Sequence, residues 1–393
     1  MNVKKIPTSH TKSSETVIKS RLASIDVMRG LIIVIMLIDH VRERFYYHLP
    51  VTDPMTIADT ETSLFFTRTF AHLCAPLFVF LTGLSAWLYA NNGTNAPRDP
   101  SIFLLKRGLF LILIEMTLVN FSWFGSYQTL YLQVIWAIGL SMISLALLCK
   151  LPRVCTIALG LMIVFGHNLL TPINFMPNEF GYTFWTIFHD ANFLVSEGPL
   201  RVKLSYPVLP WIGVILLGYS IAPLFARNIN SEYRQSSLFK IGGGSLLLLA
   251  VLRGFNIYGE TDNWQVGANG LETLMSMINF SKYPPSLHYI LLTLGVGLIL
   301  LALFERFKNR FSDILQVFGS APMFFYILHL YVLLIAYKVV LATLGANHGD
   351  LFAIPGVAYI WLITAIIATA LYYPCKYFSA YKQQSNNRWL KYF

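Results

Sequence analysis

Charge is scarce in this chain. Asp, Glu, Lys and Arg make up 12% of its 393 residues, where a soluble domain carries about a quarter. Apolar residues fill the difference, at 55% with a mean hydropathy of +0.58. That excludes an ordinary soluble globule and predicts an all-α, polytopic transmembrane bundle, counted as one unit rather than several soluble domains. Cysteine is scarce too. Cys74, Cys149, Cys155 and Cys375 lie in or beside apolar runs, no two at metal-ligand spacing, so neither a disulfide framework nor a metal site is expected. No Walker motif and no internal repeat is present, and low complexity is confined to the Ser/Thr/Lys-rich start. The "GGG" at 242–244 follows no strand and suits close helix approach better than phosphate binding. The polar, basic opening predicts no cleavable signal peptide, since the first apolar run is long enough to be retained as a span.

What the chain has is long apolar runs. Ten spans are predicted, at about 29–47, 66–90, 103–122, 128–149, 153–170, 207–225, 238–254, 286–304, 318–342 and 354–375. The segment 181–195 reads as an interfacial helix. The net charge of +10 invites a nucleic-acid partner, but a topological reading is better, and none is expected. With both termini cytoplasmic, most of the 29 basic residues fall on the cytoplasmic side. The domain plan is a cytoplasmic tail (1–20), a transmembrane domain (21–375) and a basic cytoplasmic tail (376–393). On the opposite side stand three long segments, about 48–65, 171–206 and 255–285, rich in Pro, Asn, Asp, Tyr and Trp. Loops of this length are more often functional than idle.

Ionisable groups inside apolar runs are the functional signal, because an unpaired one is costly there. Asp39 and His40 lie on the far part of the first span, and His72 near the outer end of the second. If the two helices are antiparallel neighbours, these three form a proton-transfer core in which a carboxylate orients an imidazole. The bland alternatives are an interfacial charge cluster around Asp39 and a carbonyl-bonded His72. Arg42, Arg44, Lys282 and Tyr283 offer contacts to phosphate or to substrate. His48, Arg253 and His329 complete the candidate substrate-binding set. Glu115 and Arg253 read as structural partners of one another. The "SKYPPSLH" stretch at 281–288 places two prolines at a helix start.

Two stretches resemble a known family. "RLASIDVMRGLIIVIMLIDH" (21–40) is similar to the opening of the catalytic domain of heparan-alpha-glucosaminide N-acetyltransferase: a basic residue, Ser-Ile-Asp, then an Arg-Gly pair leading into the first membrane helix. "APLFVFLTGLSAWLY" (75–89) looks like that domain's second membrane helix. "YPVLPWIGVILLGY", "RGFNIYG", "SKYPPSLHYILLTLG" and "APMFFYILHLY" look like its bacterial membrane branch. The resemblance implies a multi-helix bundle and an acetyl group moved from acetyl-CoA to a terminal glucosamine across a membrane. His40 falls where that family has an active-site asparagine. The family's histidine in a Lys-His-Ala-Ser-Trp context has no counterpart here. His48 stands in the corresponding loop, and His72 falls near an aspartate of the family. The expected function is therefore a membrane acyltransferase of a bacterial cytoplasmic (inner) membrane. It would use acetyl-CoA or another acyl-CoA as co-substrate, with no permanently bound cofactor, and an amino-sugar or glycan acceptor. Lipid is the other expected partner, and a homo-oligomer is left open. The competing reading is a transporter for a polar solute or lipid-linked glycan.

Overall fold

In the computed structural model, which describes residues 11–91, 98–385, 387 and 390 (side chains from residue 23), the apolar runs have become helices. Their order is α1 (Thr11–Phe45), α2 (Thr62–Ala71), α3 (Cys74–Ala90), α4 (Ser101–Ile114), α5 (Asn120–Phe124), α6 (Val134–Leu148), α7 (Arg153–Gly166) and α8 (Tyr182–Phe188). There follow α9 (Leu209–Ile221), α10 (Ser231–Gly254), α11 (Gly270–Ile278), α12 (Leu287–Arg306), α13 (Arg310–Ser320), α14 (Pro322–Leu344) and α15 (Val357–Gln384). Among the described residues, six stretches are long and apolar enough to cross a membrane: Thr62–Ala90, Arg153–Leu170, α10, α12, α14 and α15. Val134–Leu148 and Leu209–Phe225 are apolar but shorter. The remaining two expected spans fall on α1 and on the α4–α5 stretch. Residues 1–10 of the expected N-terminal tail lie outside the described residues, and the expected C-terminal tail begins as the last turns of α15.

The structure departs from the expected elements in four places. Residues 129–132, at the start of the expected fourth span, form strand β1 (Thr129–Leu132). It pairs in parallel with β3 (Arg201–Leu204), which pairs antiparallel with β2 (Phe193–Val195). The segment 181–195 is thus the short helix α8 followed by a strand. Residues 310–320 form a separate amphipathic helix, α13, laid against α1. The two prolines of 281–288 precede the helix they were expected to start. Ser286 N–H donates to the Ser281 carbonyl at 2.9 Å, and the Ser286 hydroxyl caps α12 by accepting from Tyr289 N at 3.1 Å.

Two local breaks shape the interior. The expected second span is broken at His72 because Pro76, one turn on, has no N–H for the His72 carbonyl. Tyr289 of α12 supplies the missing donor, its hydroxyl 2.9 Å from that carbonyl. Between α4 and α5 the chain makes a π turn, Glu115–Val119. Asn120 closes it, donating to the Glu115 carbonyl at 2.6 Å and to the Tyr131 carbonyl at 2.8 Å. Helix α1 runs through the centre, packed on α3, α12, α13, α14 and α15. Its approach to α13 rests on glycine: a Cβ on Gly30 would overlap the Leu315 carbonyl, and one on Gly319 the Asp26 carbonyl.

Candidate active site

Helix α1 carries Asp39, His40 and Glu43 to one wall of a cavity of about 370 Å³. The β1–α6 junction adds Gln133 and Val134, β3 and the turn after it add Lys203 to Tyr206, the turn before α12 adds Lys282 and Tyr283, and α14 adds Tyr326. A second cavity, of about 450 Å³, lies further toward the N-terminal end of α1. Its walls are mostly apolar, among them Phe78, Leu81, Phe103, Ile138 and Met323, but Arg29, Arg107 and Lys382 also line it. Val134 and Tyr326 line both cavities, which are therefore stacked along α1 with one shared partition. Arg29 and His40, eleven positions apart on one helix, mark the two levels, about 16 Å from each other.

Asp39 is the hub of an ionic cluster. Its Oδ1 accepts from Arg42 Nε at 2.8 Å. Arg68 Nη1 lies 3.9 Å from the same oxygen, and Lys282 Nζ 3.9 Å from Oδ2. Arg42 also reaches Glu43 at 3.0 Å. Arg68 and Lys282 are each 5% exposed, so their charges are held by carboxylates rather than by water. Asp53 anchors the far side. Its Oδ2 accepts from both Lys282 N and Tyr283 N at 2.9 Å, and its Oδ1 lies 3.8 Å from Arg68 Nη2. Burial raises the Asp53 carboxyl above its usual pKa, against the pull of Arg68 and the two N–H donors. The Tyr283 hydroxyl meets that of Tyr206 at 3.2 Å.

His40 turns away from Asp39. Its Nδ1 lies 2.7 Å from Nε2 of His329 on α14, whose Nδ1–H donates to the Phe325 carbonyl at 2.8 Å. The two imidazoles lie nearly coplanar, edge to edge, with centroids 5.0 Å apart, and Trp123 packs edge-on to His40 at 5.1 Å. His40 Nε2 has no protein partner among the described residues and is the nitrogen left for the cavity that His40 lines.

The expected trio is thus divided. Asp39 and His40 reach one cavity but serve different partners. His72 is 1% exposed, packs its ring on Tyr289, and has no hydrogen-bond partner at either ring nitrogen among the described residues. It is joined to neither Asp39 nor His40 by a hydrogen bond. Arg44 is also turned elsewhere, donating to the Ser122 carbonyl at 2.8 Å and to that of Trp123. His48 lies in the loop after α1, 4.4 Å from the ring of His348. Arg253 does not pair with Glu115. It donates to the carbonyls of Asp262, Ser276, Met277 and Asn279 and so shapes the loop that delivers Lys282 and Tyr283. Glu115, fully buried, accepts instead from Gln133 N at 3.0 Å. Among the described residues no cluster of His, Cys, Asp and Glu could hold a metal ion.

Arg68, Asp53 and Tyr326 were not singled out from sequence. Arg68 stands four residues before His72, a lone charge on the same helical face. Tyr326 stands three before His329. Asp53 sits in an irregular loop, where no periodicity marks it.

The family model described as heparan-alpha-glucosaminide N-acetyltransferase, catalytic, matches residues 21–252, more than half of the chain. No curated protein matches it. The matched region contains Asp39, His40, Arg68 and His72, and the turn before α12 together with α14 completes the site from beyond it. The chain belongs to the heparan-alpha-glucosaminide N-acetyltransferase catalytic family and is a multi-pass membrane protein built on an acetyltransferase domain.

Proposed function

We propose that the protein transfers an acetyl group from acetyl-CoA, or another short acyl-CoA, to an amine or hydroxyl of a sugar, with donor and acceptor entering from opposite ends. The carrying observation is the pair of stacked cavities that share Tyr326 and Val134. The cavity lined by Arg29, Arg107 and Lys382 suits the phosphates of coenzyme A. Its apolar walls suit the pantetheine arm, which would bring the thioester to the partition. The polar cavity on the other side, with Glu43, Gln133, Lys203 and Tyr206, suits a sugar. The excess of Lys and Arg at the N-terminal end of α1 supports orienting that end to the cytoplasm, in the inner membrane of a bacterium.

In this reading His40 Nε2 takes the proton of the acceptor as its nitrogen or oxygen attacks the thioester carbonyl. The C–S bond breaks, and the departing sulfur leaves as the thiol with the proton that His40 accepted. Lys282, held beside Asp39, faces the same cavity and counters negative charge on the carbonyl oxygen.

The test is label transfer from radiolabelled acetyl-CoA to glucosamine by purified protein, with release of CoA followed in parallel. His40→Ala should lower turnover by about 10²–10⁴-fold while acetyl-CoA still binds. Arg107→Ala should raise the KM for acetyl-CoA with turnover largely kept. Full turnover in His40→Ala would remove His40 from the reaction. Solute flux into proteoliposomes with no CoA released from any acceptor would replace the enzyme reading by a carrier.

A further inference from the structure

The structure assigns His329 a positioning role: it fixes which nitrogen of His40 carries the proton, and so keeps His40 Nε2 unprotonated toward the acceptor cavity. The consequence for catalysis rests on the acyl-transfer reading; the tautomer does not.

A backbone carbonyl can only accept, so the 2.8 Å contact to Phe325 O places a proton on His329 Nδ1. The surroundings of His329 are its own helix, the Phe325 ring at 5.1 Å, Tyr326 at 5.6 Å and His40 at 5.0 Å. Among the described residues no carboxylate is paired with it, and an imidazolium fully buried in such a setting is strongly disfavoured. His329 is therefore neutral, with a lone pair on Nε2. At 2.7 Å from that lone pair, His40 Nδ1 must be the donor. A neutral imidazole with its proton on Nδ1 has none on Nε2. One backbone carbonyl thus sets, through two rings, the state of the nitrogen that meets the acceptor.

The arrangement does what a carboxylate does behind many catalytic histidines, by orienting the ring and choosing its tautomer, without placing a negative charge beside it. Asp39, next in sequence to His40, is taken up by Arg42, Arg68 and Lys282 and does not fill that place. The chain also ends at a carbonyl, which holds no proton. His329 is accordingly a fixed acceptor and not a relay that carries a proton away.

Two variants separate this role from packing. His329→Gln keeps an acceptor oxygen near the position of Nε2. His329→Phe keeps a ring and removes the acceptor. In protein labelled with ¹⁵N-histidine, the His40 signals are identified by their loss in His40→Asn. Wild type and His329→Gln should show His40 protonated on Nδ1, and His329→Phe should shift it toward the Nε2–H form. With acetyl-CoA and glucosamine, His329→Gln should stay within about tenfold of wild-type kcat, and His329→Phe should fall by about 10²-fold or more at unchanged KM for acetyl-CoA. A wild-type His40 protonated on Nε2 overturns the assignment. So does equal loss in the Gln and Phe variants with His40 on Nδ1 in both. Should wild type show the Nδ1–H tautomer but move no acetyl group, the positioning role stands and the acyltransferase reading falls.

Discussion

Asp53 sits in a loop, yet its carboxylate shapes a segment 229 positions further along the chain. It holds the N–H groups of Lys282 and Tyr283 and so sets where the Lys282 ammonium stands. Asp53→Ala leaves two donors unmet at a cost of about 1–3 kcal/mol each where they are buried. Acceptor KM should rise more than acetyl-CoA KM, and amide exchange over 279–286 should quicken. The His48–His348 contact predicts a pH response at the same scale. Burial, then His348, pushes the His48 pKa below its ordinary 6.5. A histidine with a depressed folded pKa supports its fold above the ordinary pKa and loses that support as pH falls through it. Amide protection in 347–353 should therefore drop between about pH 7.5 and about pH 5.5, and His348→Asn should flatten the change. Asp39 and His40 were legible in sequence because charge at the end of an apolar run stands out. Their partners were not. His329 is 289 positions from His40, and only the packing of α14 on α1 joins them.

Helix ends and breaks set the geometry between those residues. Apart from the start of the fourth, the expected spans fell on helices, because a long apolar run marks a helix. The helix α13 was missed because its apolar face is one-sided, so no continuous run marks it. Strand β1 was missed because a single polar residue, Gln133, separates its four residues from the apolar run of α6. The break at His72 was written in Pro76, but the hydroxyl that satisfies it comes from α12, far along the chain. Tyr289→Phe removes that donor and leaves a buried carbonyl unmet. A loss of about 1–3 kcal/mol is expected, seen as a lower Tm in detergent. At the α1–α13 crossing, Gly319→Val should be more damaging than Gly243→Val, because Gly319 abuts the Asp26 backbone while nothing lies within reach of a Cβ on Gly243.

At the scale of the molecule, the matched family region ends at residue 252, yet the site closes only with the turn before α12 and with α14. The charge bias along the sequence predicts an orientation for the bundle, but it says nothing of cavities, which are spaces between helices and belong to no single run. Two hollows reach toward each other along α1, and between them stand the ring of Tyr326 and the side chain of Val134. In an energised cell that partition is also electrical insulation. If water fills both hollows, the voltage across the bilayer, worth about 2.3 kcal/mol per charge at 100 mV, drops mainly over the side chains that line both of them. A ring lost from this place should short the membrane: proteoliposomes carrying Tyr326→Gly should dissipate an imposed proton gradient faster than wild type, with acetyl-CoA slowing the leak as it plugs the gap.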